Sequence, residues 1–155
     1  MRRLWGIVAI IVIYKKKFNE QNMSCVLRIA GKKLDIDDFI LKSGLKGYVK
    51  KYKEENLKSK SSNQGKQYSF VSATISEAEL DNYEKQVSDA IVYLKKNKKK
   101  LALINSTKEI DYATINFMIS LKSVSDKYFA QYIYLPKELT ILCGSLNLGI
   151  EVEIV

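Results

Sequence analysis

The chain has 155 residues and a mass of 17.8 kDa; 46% of it is hydrophobic and 28% charged. That size and composition describe one globular domain with a real core, and exclude a disordered chain, a collagen and a disulfide-framed miniprotein. The net charge is +9 without a single histidine, which removes the usual general base near neutral pH and the commonest metal ligand.

Residues Leu4 to Tyr14 form an apolar run between Arg2-Arg3 and Lys15-Lys16-Lys17. A spanning helix needs about 20 apolar residues, so this run is too short. Lysines also follow where a signal peptide would carry small residues for cleavage. Three readings of residues 1–22 stand. Met23 is the true start and the segment is translated upstream sequence; or the segment is an interfacial membrane anchor; or it is a strand or helix packed on the domain. The first leads, because a strand pattern begins directly after Met23. The domain is therefore expected at 23–155, with 1–22 as an extension outside it.

Ser24 to Ala30 alternates, with Cys25, Leu27 and Ile29 on one face and Arg28 on the other, which predicts a strand. Asp35 is a good N-cap, Asp38 sits at the third helical position, and Leu34 and Phe39 are spaced for a hydrophobic staple. A helix from there should stop near Gly44. Residues 47–53 predict an exposed strand, 54–66 a polar loop and 67–75 another strand. Ser76-Glu77-Ala78-Glu79 matches a capping box, with a staple from Ile75 to Leu80. The stripe Leu80, Tyr83, Val87, Ala90, Ile91 and Leu94 then predicts a long helix to about Lys96. A short helix is expected within 97–107.

Residues 111–122 alternate, with Ala113, Ile115, Phe117, Ile119 and Leu121 facing one way, as in a half-buried antiparallel strand. Phe129 to Leu135 is the expected partner strand. Pro136 suits the first position of a helix with Leu139, Leu142, Cys143 and Leu146 on its apolar face, ended by Gly149. Ile150, Val152 and Ile154 alternate with Glu151 and Glu153 in a last strand. The order predicts an α+β fold: a mainly antiparallel sheet with helices packed on one face, in two strand–helix–strand halves.

The stretches Leu27 to Phe39 (L-R-I-A-G-K-K-L-D-I-D-D-F), the helix from Glu77, the strand Ile115 to Leu121 and the ending Leu135 to Ile154 (L-P-K-E-L-T-I-L-C-G-S-L-N-L-G-I-E-V-E-I) resemble the bacterial family known as domain of unknown function number 4279. The resemblance covers most of 24–155 and none of 1–22. It departs from the family in lacking a tryptophan before the central helix and in placing Leu135 where a polar cap is expected. It implies a small bacterial α+β domain without known catalytic residues, of a sort suspected to act as immunity proteins beside toxins.

Few residues invite chemistry. Asp35, Asp37 and Asp38 lack the spacing and distal Glu of a calcium loop, and helix capping accounts for them. Glu77 and Glu79 suit a first helical turn. Cys25 and Cys143 belong to no C-x-x-C pair and read as small buried hydrophobes in a reducing compartment. No phosphate-loop, dinucleotide or nucleophile-elbow motif occurs. No catalytic, cofactor or metal residue is assigned, and an enzyme is not expected.

The surface is more informative. Lys95, Lys96, Lys98, Lys99 and Lys100 are the densest charge run, to which Lys50, Lys51 and Tyr52 add. Tyr128, Tyr132 and Tyr134 belong to a set of ten tyrosines, a residue favoured both at interfaces and on strands. Together these form the candidate partner surface. The expected role is a non-enzymatic macromolecule-binding protein, immunity- or antitoxin-like, with an acidic partner protein. The alternative is a nucleic-acid-binding module, which the scarcity of arginine (Arg2, Arg3 and Arg28 only) makes the weaker reading. The expected location is the cytoplasm, or the periphery of a membrane if residues 1–22 anchor it.

Overall fold

The computed structural model describes residues 10–13, 23–45, 49–53, 69–120 and 133–155. In chain order these form β1 (Ile10–Ile13), β2 (Cys25–Gly31), α1 (Ile36–Ser43), β3 (Val49–Lys53), β4 (Ser69–Ser76), α2 (Tyr83–Leu101), α3 (Leu103–Ser106), β5 (Tyr112–Ile119), α4 (Lys137–Ser145) and β6 (Gly149–Ile154). The strands make one sheet in the order β1-β6-β5-β2-β4-β3. β2 pairs antiparallel with β4 and β5, and β3 antiparallel with β4, while β6 runs parallel to both β5 and β1. The fold is α+β, as expected, with a mostly antiparallel sheet. The parallel β5–β6 pair needs a crossover connection rather than a hairpin, and α4 lies in that connection.

One face of the sheet meets the helices. Cys25, Leu27 and Ile29 of β2, Val71 and Ala73 of β4, Ile115 and Phe117 of β5, and Ile150 of β6 form a single buried cluster. Helix residues Ile36, Phe39, Val87, Ala90, Leu94, Ile104, Leu139, Leu142 and Cys143 complete it. Phe117 is at its centre, fully buried, with the Tyr83 ring edge-on at 5.6 Å.

α1 follows the expected pattern. The Asp38 backbone N–H donates to the Asp35 carboxylate at 3.1 Å. Gly44 closes the helix at φ +60°, a left-handed conformation that glycine adopts without penalty. Leu34 and Phe39 of the staple are both buried.

Several expectations differ. α2 starts at Tyr83, seven residues after Ser76, and runs on to Leu101. Ser76 remains the last residue of β4, opposite Cys25. Its hydroxyl donates to Asp89 at 2.7 Å and accepts from the Ala78 N–H at 3.2 Å. Asn82 is the cap, taking the Lys85 N–H at 3.1 Å, so Glu77 and Glu79 precede the helix rather than opening it. The Asn82→Ala variant is expected to lose about 1 kcal/mol, within the range for a lost N-cap. Glu79→Ala should be close to neutral. Urea denaturation of both checks the assignment, since a Ser76 capping box would reverse the order.

β5 is buried on both faces from Thr114 to Ile119, not half-buried. Its two edges are taken by β2 and β6; the expected partner is Phe129 to Leu135. Residues 133–135 are not in a strand, and 129–132, like the predicted loop 54–66, lie outside the described residues. α4 ends at Ser145, before Asn147 at φ 55°, and Gly149 begins β6. Pro136 is the N-cap, one place earlier than expected. Ile10–Ile13, in the segment for which a strand packed on the domain is the third reading, pairs with Glu151–Ile154 at the sheet edge.

The Tyr83 hydroxyl is buried and has no hydrogen-bond partner among the described residues. Burial, then the nearby Cys25 thiol, pushes its pKa up to about 12. Tyr83→Phe removes a hydroxyl that gains nothing, so stability should stay level or rise by no more than about 1 kcal/mol. The unfolded phenol loses its proton near pH 10 and the folded one near 12. The folded state holds more protons in between, and stability falls as pH rises through that window. Tyr83→Phe should flatten part of the fall, read as the change in urea midpoint between about pH 9 and about pH 11.

Candidate interaction surface

α2 is amphipathic. Tyr83, Val87, Ala90, Leu94 and Leu101 turn toward the sheet, while Ser88, Val92, Lys95, Lys96 and Lys99 are exposed at a spacing that keeps them on the opposite side. The core stripe thus fixes the direction of the lysines. Lys98 is also exposed and Lys100 is half-buried. Lys95 donates to Glu138 of α4 at 2.6 Å, which ties the two helices at the surface. Lys96, Lys98, Lys99 and Lys100 have no carboxylate within ion-pair distance among the described residues. Val92 on α2 and Ile141 on α4 stand 61% and 58% exposed on these two packed helices.

The remaining surface candidates are scattered. Lys50, Lys51 and Tyr52 belong to the edge strand β3, in register with Ser72, Val71 and Phe70, on a different element from the α2 ridge. Tyr134 is 74% exposed just ahead of α4. Tyr128 and Tyr132 lie outside the described residues.

The sequence reading missed a polar network on the other sheet face. Tyr112 donates to Glu151, as do Thr114 at 3.5 Å and Asn116 at 3.4 Å. Asn116 also reaches Glu153 at 3.5 Å, and Arg28 lies 3.9 Å from Glu153. These residues lie on adjacent strands, Asn116 directly opposite Glu151. Burial, then the bond to Glu151, pushes the Tyr112 phenol up to about 12. The alternation of Glu151 and Glu153 was visible in sequence, but their partners depend on strand order.

The chemistry of the interior is quiet. Burial pushes the Cys143 thiol up to about 12 and the Cys25 thiol well above its usual value, and neither forms a disulfide. Thiols so held stay protonated and unreactive near neutral pH. Among the described residues no cluster of His, Cys, Asp or Glu is placed to hold a metal, and no helix is long and apolar enough to cross a membrane.

These features define a mixed-sheet α+β protein whose exposed helix carries a lysine ridge beside apolar side chains. Comparison with known protein families, with curated proteins and with solved structures finds no match to the chain.

Proposed function

We propose that this chain binds an acidic partner protein along α2. The observation that carries the reading is the lysine ridge itself: Lys96 and Lys99, without carboxylate partners among the described residues, on the same helix as exposed Val92, with exposed Ile141 on the packed helix α4. Exposed lysines give long-range attraction and orientation to an acidic surface. Val92 and Ile141 supply the apolar contact from which affinity comes once water is excluded. Phosphodiester backbones offer nothing to such side chains, which favours a protein over a nucleic acid. Residues 23–155 carry 21 basic and 16 acidic residues, net +5, in keeping with an acidic partner. Within this reading, a role as an immunity or antitoxin-like protein that covers a toxin accords with the family resemblance.

The test uses the full chain and its Lys96→Glu/Lys99→Glu variant as baits in the producing cells. The expected result is one acidic protein retained by the wild type, released by salt, and weakened about tenfold or more by the double reversal. Retention indifferent to the reversal, or a retained species that is RNA or DNA, overturns the reading.

A further inference from the structure

The last turns of α1 and α2 meet α3 in an open groove of about 500 Å³, lined by Lys42, Ser43, Lys99, Lys100, Leu103 and Ser106 among others. That volume lies within the range of small-molecule sites. Among the described residues no carboxylate lines it. A second groove, of about 390 Å³, shares Lys42, Leu103 and Ser106 with it and carries the local acids Asp35, Asp38 and Glu109. The charges are thus partly sorted: Asp35, Asp38 and Glu109 with Lys33 on one side of Lys42, Lys99 and Lys100 on the other.

Lysines near helix C-termini offset the helix dipole, but each terminus amounts to only about half a negative charge. The two termini offset about one charge and Asp38 pairs with Lys42, which leaves about one positive charge in the groove uncompensated. Lys42 is the adjustable member. It is held by Asp38 at 2.6 Å, yet the two side chains are 62% and 48% exposed. Exposed pairs of this kind exchange readily for a better partner. Ser43 and Ser106 already donate their hydroxyl protons to the carbonyls of Ile40 and Leu103, at 3.2 and 3.1 Å. Recognition therefore falls to the ammonium groups.

We propose that this groove binds a small oligophosphate anion, held by Lys42, Lys99 and Lys100. Lysine serves phosphate as a point charge without the planar match of arginine, and three such charges around one groove suit a chain of phosphates better than a single carboxylate. The site stands apart from the partner reading: only Lys99 is common to both.

The test is a calorimetric titration of the full chain with inorganic tripolyphosphate and, separately, with ATP at low salt. Saturable one-site binding that weakens with salt is expected. Lys99→Ala/Lys100→Ala should weaken it about 20-fold or more, as two lost charge-assisted contacts. Asp38→Asn frees Lys42 and should tighten it about twofold, a gain that damaged folding does not produce. Lys95→Ala/Lys96→Ala should leave it unchanged, which keeps this result independent of partner binding. Equal affinity for the two probes supports recognition of phosphate alone; tighter ATP supports a nucleotide. No saturable binding of tripolyphosphate, or binding indifferent to Lys99 and Lys100, overturns the proposal.

Discussion

Phe117→Ala is expected to destabilise the protein by about 3–5 kcal/mol, the range for deleting a buried aromatic ring. Phe117 is fully buried on β5, opposite Cys25 on one neighbouring strand and Val152 on the other, and met edge-on by Tyr83 from α2. Its ring fills the junction between the antiparallel and parallel parts of the sheet. Removal leaves a cavity walled by strands whose registers are fixed on both sides, so little collapse can refill it. Urea denaturation read by far-UV circular dichroism measures the loss. A loss below about 1.5 kcal/mol, the level of a tolerated core swap, would mean that the ring is not in the interior.

Gly31→Ala should cost about 3 kcal/mol, at the upper end for forced overpacking. A Cβ at Gly31 would stand 1.9 Å from the Glu109 carbonyl oxygen, 3.0 Å from its carbon and 3.1 Å from Leu34 Cβ. The two nearest opposing atoms are backbone, so no side chain can swing aside to relieve the shortest contact. The clash would press apart the end of β2 and the approach to β5, where Asp111 N–H donates to the Ala30 carbonyl at 3.0 Å. Gly144 is the control. It lies within α4, and a Cβ there meets nothing within 4 Å. Gly144→Ala should therefore stabilise by up to about 1 kcal/mol, the helix-propensity difference. Opposite signs for the two substitutions, read from the same denaturation curves, check both placements.

Much of the architecture was legible because local signals agreed. Asp35, Leu34 with Phe39, and Gly44 all specify the same helix, and each is where the sequence pattern puts it. The alternation in β2 and the apolar face of α4 were legible for the same reason. The α2 start was not, because Ser76-x-x-Glu79 and Asn82 are both acceptable caps in isolation. The strand pairing that retains Ser76 opposite Cys25, and the Asp89 carboxylate that takes its hydroxyl, decide for Asn82. Asp89 is itself pulled upward by burial, yet the bonds from Lys85 and Ser76 hold it below the usual carboxylate range.

Sheet order is non-local and escaped the sequence. β6 pairs with β5 only through a crossover, and its remaining edge takes Ile10–Ile13. An unbroken apolar run such as Ile10–Ile13 has no alternation to mark it as a strand. Thr114 and Asn116 lie on the polar side of the β5 alternation, yet both are buried, and the glutamates that accept their hydrogen bonds lie some 35 positions away in the chain. The α2 lysines were legible as a run. Their sorting was not: Lys95 is committed to Glu138, Lys99 and Lys100 line the groove with Lys42, and Lys96 is exposed without a carboxylate partner among the described residues.

The most direct test of partner binding through α2 is lysine acetylation footprinting of the protein alone and with its captured acidic partner, read residue by residue by mass spectrometry. The account predicts protection centred on Lys95, Lys96 and Lys99, with Lys32, Lys33 and Lys108 as reactive in the complex as outside it. Protection centred on Lys32 and Lys33, with an unaltered α2 ridge, would contradict it.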